Sequence, residues 1–373
     1  MTKAEARVPS IIHVCQPTHG GAAIAVRQLT KVSLDEGYRV AVACPDGELS
    51  TWVREMGVEW IRLPLVRRPA WTDFKRLVEM RRLVRDVDVV HMHSSKAGAV
   101  GRLSTVLLRR RPFTIFSPHG WSWYVGGGLS RFYKIFERFA ARLVDIVVVV
   151  SADEFRDGRL ALGRHSARMR LIQNGVDTAE FTPDGPIADR STGLLVVCVG
   201  RLCEQKGQDI AIRALARLTD ANARLRLVGD GPDRTLLENL ADELGVRGRV
   251  EFIGHTDPRP HLRASDMVVM PSRWEGMSLL LLEAMACGAA IISSRCGGSD
   301  ALGDAGIVVP LGDHLALASA IEMMSSSPSR RSEFASHARR RAVEFYDIGR
   351  VHDQYSSLLK QALAVDSYKF PSM

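Results

Sequence analysis

Short, nearly continuous apolar runs recur along the first half of the chain: IIHVC (11–15), RVAVAC (39–44), VDVVHMH (87–93), FTIFS (113–117) and IVVVVS (146–151). Runs of this kind, rich in β-branched residues, read as strands buried on both faces, the signature of a parallel sheet. Segments with helical period separate several of them, which predicts alternating β and α elements. A second series begins at LLVVCVG (194–200) and continues with RLRLVG (224–229), RVEFIG (249–254), MVVMPS (267–272) and AAIISS (289–294). Helical patterns at 208–218, 233–244 and 279–287 lie between these runs. The pattern predicts two doubly wound α/β domains, residues 1–180 and 193–345. The polar stretch DTAEFTPDGPIADRST (177–192), punctuated by Pro and Gly, is the expected boundary. After about residue 311 the chain reads mostly as helix to 365. No short-period repeat is present, so the repetition is of whole domains.

Composition adds two constraints. A chain of 373 residues can bury two cores, and 46% apolar with 25% charged residues excludes a fibrous or broadly disordered protein. The formal charge of +8 is uneven: residues 1–180 hold 28 Lys/Arg against 18 Asp/Glu, whereas 181–373 hold 22 against 24. All the positive excess therefore lies in the N-terminal half. It suggests an anionic partner there, such as lipid headgroups, a phosphorylated acceptor or nucleic acid; the alternative is a solvated basic surface. No recognised nucleic-acid module accompanies the charge, so nucleic acid is not expected. The six cysteines form no CxxC pair, and Cys15 and Cys198 sit in apolar runs as small buried hydrophobes, which fits a reducing compartment. MTKAEARVPS is polar, IIHVC is too short for a signal sequence, and no run approaches the roughly 18 apolar residues of a spanning helix. The expectation is a cytoplasmic protein, able at most to lie peripherally on the inner face of the plasma membrane.

Two basic stretches bear on that surface. LSRFYKIFERFAARLVD (129–145) carries an apolar stripe of Phe132, Phe136, Phe139 and Leu143 beside a basic one of Arg131, Lys134, Arg138 and Arg142. The pattern suits a helix at a membrane interface and equally a core-facing helix with a solvated basic edge. Segment 62–85 has eight Arg/Lys against two acids, with Trp71 and Phe74 among them. Together the two could form a patch for anionic lipid.

The loops after the strands hold the candidate chemistry. Gly20-Gly21 follows the first strand and opens a helix, where close backbone approach and unpaired N–H groups suit an anion, although a plain tight turn would look the same. The segment is not GxGxxG, so the dinucleotide fingerprint is absent. His91 and His93 alternate with Met92, and no third ligand lies at metal spacing, so no metal is expected. Asp86-Val87-Asp88 precedes its strand and falls at the wrong sheet edge for a metal site. His119 follows the FTIFS strand at the edge where ligands bind, with Gly126–Gly128 close behind. In VCVGRLCEQKGQDIAIRAL, Arg201 and Lys206 precede a helix and could clamp a diphosphate.

The strongest signal is PSRWEGMSLLLLEAMACGAAIISSRCGGSD. Glu275 falls in the turn after a strand, and Glu283 lies in an otherwise apolar helix, where a carboxylate needs a partner to offset its desolvation. Ligand hydroxyls are suitable partners, and the N–H groups around Gly276, Met277, Ser278 and Leu279 can hold phosphate oxygens. A helix N-cap acid plus a buried structural glutamate is the bland alternative.

These residues resemble the retaining glycosyltransferases of family GT4, which have the GT-B fold of two Rossmann-like domains facing across a cleft. The family pattern of Glu, seven residues, Glu reads here E-GMSLLLL-E, followed by EAMACG and a glycine pair. RLCEQKG, Gly20-Gly21, His119-Gly120 and NGVD (174–177) match further family segments in order, so the likeness covers nearly the whole chain. One departure is the Glu that commonly follows the glycine pair: GGSD places Asp300 nearby instead.

The resemblance implies transfer of a sugar from a nucleoside diphosphate, UDP favoured, to an acceptor hydroxyl with retention, and no metal or cofactor. It implies a donor-binding C-terminal domain, an acceptor-binding N-terminal domain, and a tail (346–373) that crosses back to the latter. By position, Glu283 would hold the ribose hydroxyls and Glu275 the sugar hydroxyls. Arg201 and Lys206 would stabilise the leaving diphosphate. His119 would contact the sugar, and Gly20 and Gly21 would pass close to the diphosphate and the acceptor. The acceptor could be lipid-linked or phosphorylated, in glycan or glycolipid assembly, or a soluble natural-product or aminocyclitol core. A nucleotide-sugar epimerase on the same fold is the alternative enzyme.

Overall fold

The computed structural model describes residues 7–66, 71, 73–106, 108–125, 128–190 and 193–369. Gly126, Gly127, Arg67, Arg68 and the end of the expected boundary stretch lie outside them. The chain forms two compact units, one of Met1–Gln173 with Val351–Met373 and the other of Asn174–Arg350.

The first unit holds strands β1 (Ser10–Cys15), β2 (Arg39–Cys44), β3 (Glu59–Arg62), β4 (Val89–His93), β5 (Phe113–Ser117), β6 (Ile146–Val149) and β7 (Met169–Leu171). They pair in the order β3-β2-β1-β4-β5-β6-β7, and the pairings are parallel. Every residue of β1, β4, β5 and β6 is buried, as the continuous apolar runs require. The edge strands β3 and β7 are short and half-exposed, and so carry no comparable signal in the sequence. Helices α1 (Gly21–Asp35), α2 (Glu48–Glu55), α3 (Asp73–Val84), α4 (Ser95–Ser104), α5 (Ser130–Ala140) and α6 (Ala152–Leu162) make the crossovers.

The second unit repeats the scheme. Strands β8 (Leu195–Val199), β9 (Arg224–Val228), β10 (Val250–Gly254), β11 (Met267–Met270), β12 (Ile291–Ser294) and β13 (Gly306–Val309) lie in the order β10-β9-β8-β11-β12-β13. Helices α7 (Gln208–Leu215), α8 (Arg234–Glu243), α9 (Arg259–Ala264), α10 (Leu279–Ala286), α11 (His314–Ser325) and α12 (Pro328–Phe345) accompany them. One core cluster gathers Leu225, Leu227, Val269, Ile292, Ile212 and Ile321, all buried. The last helix, α13 (Ile348–Lys369), begins in this unit and belongs to the first from Val351 onward, where the Tyr38 hydroxyl donates to the Leu359 carbonyl at 3.0 Å.

The stretch after Gln173 packs within the second unit. It has no sheet or helix to satisfy its carbonyls, and arginines supply the donors instead. Arg339 reaches the carbonyls of Thr178, Phe181 and Ala286, and Arg263 those of Thr182 and Pro186. No helix among the described residues is long and apolar enough to cross a membrane.

Candidate active site

In a doubly wound sheet, the strand order reverses between two neighbouring strands, and the loops beyond their C-terminal ends diverge to leave a crevice. In the second unit these strands are β8 and β11. Arg201 and Lys206 follow β8; Glu275 and the turn to Ser278 follow β11. The structure brings two of these residues into direct contact, with Lys206 Nζ donating to Glu275 Oε1 at 2.6 Å. Burial alone would lower the Lys206 ammonium; the carboxylate beside it outweighs that and holds it above its usual value. Arg201 is exposed in the same loop, and Gln208 donates to its carbonyl at 2.9 Å.

The two loops are tied together by groups with no obvious mark in the sequence. Arg273, after β11, pairs bidentately with Asp209 of α7 at 2.8 and 2.7 Å and donates to the Glu204 carbonyl. Gln205 donates to the Trp274 carbonyl at 3.0 Å. The glycine pair closes the other side: a Cβ at Gly297 would lie 2.2 Å from the Glu275 carbonyl oxygen, and one at Gly298 would lie 2.8 Å from Met277 Cα. Gly298 also has φ +77°, in the left-handed region that favours glycine. Asn174, in the NGVD segment, donates to the Met277 carbonyl at 2.9 Å. The turn Glu275–Ser278 is thus clamped from three sides. Beside it is a small recess lined by Ser272, Glu275, Ser278, Ser293, Cys296 and Gly297.

Gly276, Met277 and Ser278 are buried in this turn, and Leu279 begins α10. No side chain caps α10, so its first N–H groups are not taken by a capping side chain. Glu283 lies one turn on, half-buried, and its carboxylate makes no hydrogen bond or ion pair to any described residue. Burial, with the Glu180 charge adding to it, pushes its acid up to about 7. Asp300 is exposed, in the turn after Gly298.

In the first unit the reversal falls between β1 and β4. Gly20 caps α1 with φ 75°, and a Cβ there would meet nothing within 4 Å. Gly21 is exposed as the first residue of the helix. His119 follows β5 with φ 51°, unusual for a non-glycine residue. Its neighbour Gly120 donates its N–H to Glu154, which also accepts from Val150 N at 2.9 Å. Burial raises this carboxyl to about 7. The Trp121 indole donates to the Glu154 carbonyl at 2.9 Å and stacks on Trp123. Glu154 thus fixes the His119 turn. Sequence reading missed it, although SADE (151–154) fits the capping-box pattern. Ser151 does accept the Glu154 N–H, but the carboxylate is turned to the turn amides.

The reading of His91 and His93 as lacking a third partner needs correction. His13 stands opposite His91 in the parallel register of β1 and β4, and ring nitrogens of His13, His91 and His93 lie within 4.8 Å of one another. The spacing rule failed because the third imidazole comes from a neighbouring strand far away in sequence. All six ring nitrogens are engaged: His13 with Ser33 and His93, His93 also with His119, and His91 with Tyr355 and Ser117. Asp88, by contrast, lies at the opposite sheet edge, buried against Ser10 and Arg110.

Comparison with known proteins identifies the family. A profile described as "Glycosyl transferase 4-like domain" matches residues 20–175, and one described as "Glycosyl transferases group 1" matches 193–327. The chain belongs to the GT4-like glycosyltransferases. Among relatives of this GT4-like chain, the lipopolysaccharide core biosynthesis glycosyltransferase LpsE of Rhizobium meliloti is 37% identical over 44% of this chain and 49% of its own. The UDP-Gal:alpha-D-GlcNAc-diphosphoundecaprenol alpha-1,3-galactosyltransferase of Escherichia coli is 29% identical over 62% of this chain and 64% of its own. The matches therefore span about half to two thirds of those relatives. HepE of Anabaena, solved with UDP and glucose, superposes with a TM-score of 0.83 at 21% identity, covering 95% of this chain and all of that one. That likeness establishes the GT-B fold of two Rossmann-like domains.

One surface of this GT4-like chain departs from an ordinary amphipathic helix. On α5 the exposed apolar side chains are Phe132, Ile135 and Phe139, continued by Leu129, while Phe136 is half-buried, so the expected stripe is shifted. Arg131, Lys134, Arg138 and Arg142 are exposed alongside. The inward side instead carries Glu137, in a buried bidentate pair with Arg102 at 2.7 and 3.1 Å. The helix thus buries its acid and presents aromatics and cations to solvent.

Proposed function

We propose that the protein is a retaining glycosyltransferase that moves a sugar from a nucleoside diphosphate, UDP favoured, to a hydroxyl of a lipid-linked or phosphorylated acceptor in glycan assembly. The observation that carries this is Glu283. A half-buried carboxylate with no hydrogen bond or ion pair among the described residues, at the edge that also holds the Lys206–Glu275 pair, is stabilised by ligand hydroxyls that donate to it. We assign it to the ribose and Glu275 to the hydroxyls of the sugar. Arg201, Lys206 and the turn N–H groups oppose the charge that develops as the anomeric C–O bond to phosphate breaks. The acceptor oxygen bonds to the same face of the anomeric carbon and passes its proton to the leaving phosphate, so no metal or cofactor is assigned. His119 is assigned to the sugar, and Gly20 and Gly21 to close backbone approach. The preference for UDP draws on HepE, solved with UDP and glucose, and on the UDP-Gal-dependent relative. A lipid-linked acceptor draws on that relative's name and on the exposed face of α5, which suits a peripheral site on an anionic cytoplasmic leaflet.

A thermal-shift screen of UDP-, GDP- and dTDP-sugars tests the donor. A UDP-sugar should raise the melting temperature of the parent protein, and Glu283→Ala should remove that rise; an undiminished rise in the variant refutes the donor assignment. For the surface, sedimentation with phosphatidylglycerol vesicles should capture the protein, and Phe132→Ser with Phe139→Ser should release it at unchanged melting temperature. Failure of the parent to bind at moderate salt would discard the membrane assignment.

A further inference from the structure

Four histidines, His13, His91, His93 and His119, come from two strands, β1 and β4, and the loop after β5, and three of them join end to end. The His119 Nε2 lies 3.0 Å from His93 Nδ1, His93 Nε2 lies 3.1 Å from His13 Nδ1, and His13 Nε2 lies 3.2 Å from Ser33 Oγ. Ser33 Oγ in turn lies 2.8 Å from the Leu29 carbonyl. His13 and His93 are fully buried, and His119 is half-buried.

The far end gives this chain a direction. A carbonyl oxygen only accepts, so the single Ser33 hydroxyl hydrogen points at Leu29. His13 must then donate through Nε2, which leaves its Nδ1 bare. A neutral imidazole has one N–H, so the same choice passes to His93 and then to His119. Burial supports neutrality throughout, holding His13 to about 3 and His119 to about 4, with His93 well below its usual value. His91 stands beside the chain, bonded to Tyr355 at 2.7 Å and Ser117 at 2.8 Å, and Tyr355 in turn hydrogen-bonds with the Ser33 hydroxyl.

We propose that Ser33, His13 and His93 are positioning residues that fix the tautomer of His119, with the proton on Nε2 and a bare Nδ1 offered as acceptor to a substrate hydroxyl. Nδ1 has no partner among the described residues, so it is available for that contact. The assignment of a substrate to His119 rests on the function proposed above; the tautomer does not. The relay also explains why a backbone turn with positive φ is held so firmly by Glu154 and Trp121. A ring displaced from His93 would lose its only specified proton position.

Two-bond ¹H–¹⁵N correlation spectra of the full chain labelled at histidine test it directly. Resonances are assigned by single His→Gln variants. The parent should show His119, His93 and His13 all with a pyridine-type Nδ1 and a pyrrole-type Nε2 at pH 7.5. Ser33→Ala removes only a hydroxyl and should turn His119 into a tautomer mixture, with intermediate ¹⁵N shifts, while Ser33→Thr restores the parent spectrum. A pyrrole-type Nδ1 on His119 in the parent, or an unmoved His119 in Ser33→Ala, overturns the relay. So does stoichiometric metal on the three buried rings, read by elemental analysis of the purified protein. In the UDP-sugar assay, Ser33→Ala should lower kcat by roughly tenfold with little change in KM. Parent-level turnover by His119→Ala, with the tautomer spectra as expected, would refute the substrate role of His119 and leave the relay standing.

Discussion

The two units run their strands in the same order, yet their reversal edges carry opposite chemistry. Between β8 and β11 the polar groups are charged: a lysine–glutamate pair, an exposed arginine and a half-buried carboxylate with no partner among the described residues. Between β1 and β4 they are imidazoles that burial keeps neutral, and they hydrogen-bond to one another. The difference follows from where the groups stand. Those of the second unit lie in loops past the strand ends, where water and a ligand can compensate a charge. Those of the first unit other than His119 lie within the strands themselves, where an isolated charge would cost several kcal/mol and a neutral donor–acceptor ring costs little. One topology thus supplies an edge suited to holding an anionic donor and another suited to presenting a neutral hydrogen-bonding group.

The sharpest break in that contrast is loss of the charged pair. Glu275→Gln leaves Lys206 without its carboxylate, and removal of one preorganised group of this kind typically costs roughly 10²–10³ in kcat. Turnover of a UDP-sugar should fall by that order while circular dichroism is unchanged; a fall below tenfold would show that the pair is structural. Next come the glycines, Gly298→Ala against Gly20→Ala. Both have positive φ, and each should lose about 1–2 kcal/mol from strain. Gly298 also has Met277 Cα in the way, so its variant should be the less stable in urea titration. The space before Gly20 is open, so its variant should weaken donor binding more than it lowers stability.

The smallest effect separates the units by pH. The folded values of His13 and His119, about 3 and 4, lie below the free imidazole value, so the unfolded chain takes up protons first. Their contribution is complete above pH ~6.5 and is lost as pH falls toward 4. Glu283, raised to about 7, has the opposite sense: its contribution is complete below pH ~4.5 and is lost as pH rises through 7. Glu154 shares that sense within the first unit. Glu283→Gln should therefore raise the melting temperature at pH 8 by roughly 2–4 °C and leave it unchanged at pH 5. Hydrogen exchange by segment at pH 5 should show β1 and β4 losing protection before β8 and β11. A reversed order would contradict the buried, neutral histidines.

Much of this was legible beforehand. The ten apolar runs named from the sequence are strands in the structure, because a strand buried on both faces admits few polar residues. The strands left unread, β3, β7 and β13, are short edge strands with partly exposed residues, where that constraint relaxes. Glu275 and Glu283 stood out because carboxylates are rare in apolar surroundings. Arg273, Glu154 and His13 did not, since each draws its meaning from a partner remote in sequence: Asp209, Gly120 and His91 respectively. On α5 the period was visible but its phase was not. The choice of which face turns inward was made by the Arg102–Glu137 pair, a contact between two helices.

Continuous apolar runs, turn residues and a spaced pair of glutamates determined, from the sequence alone, two parallel α/β units and the loop that follows β11. Those are local properties, written in the burial that each segment requires of itself. The closure of the Glu275 turn by Gly297 and Gly298, the pairing of Lys206 with Glu275, and the line of histidines ending at His119 were decided only by tertiary structure. Each depends on the register between strands and on the distance between loops. No residue carries that information until its neighbour across the sheet is in place.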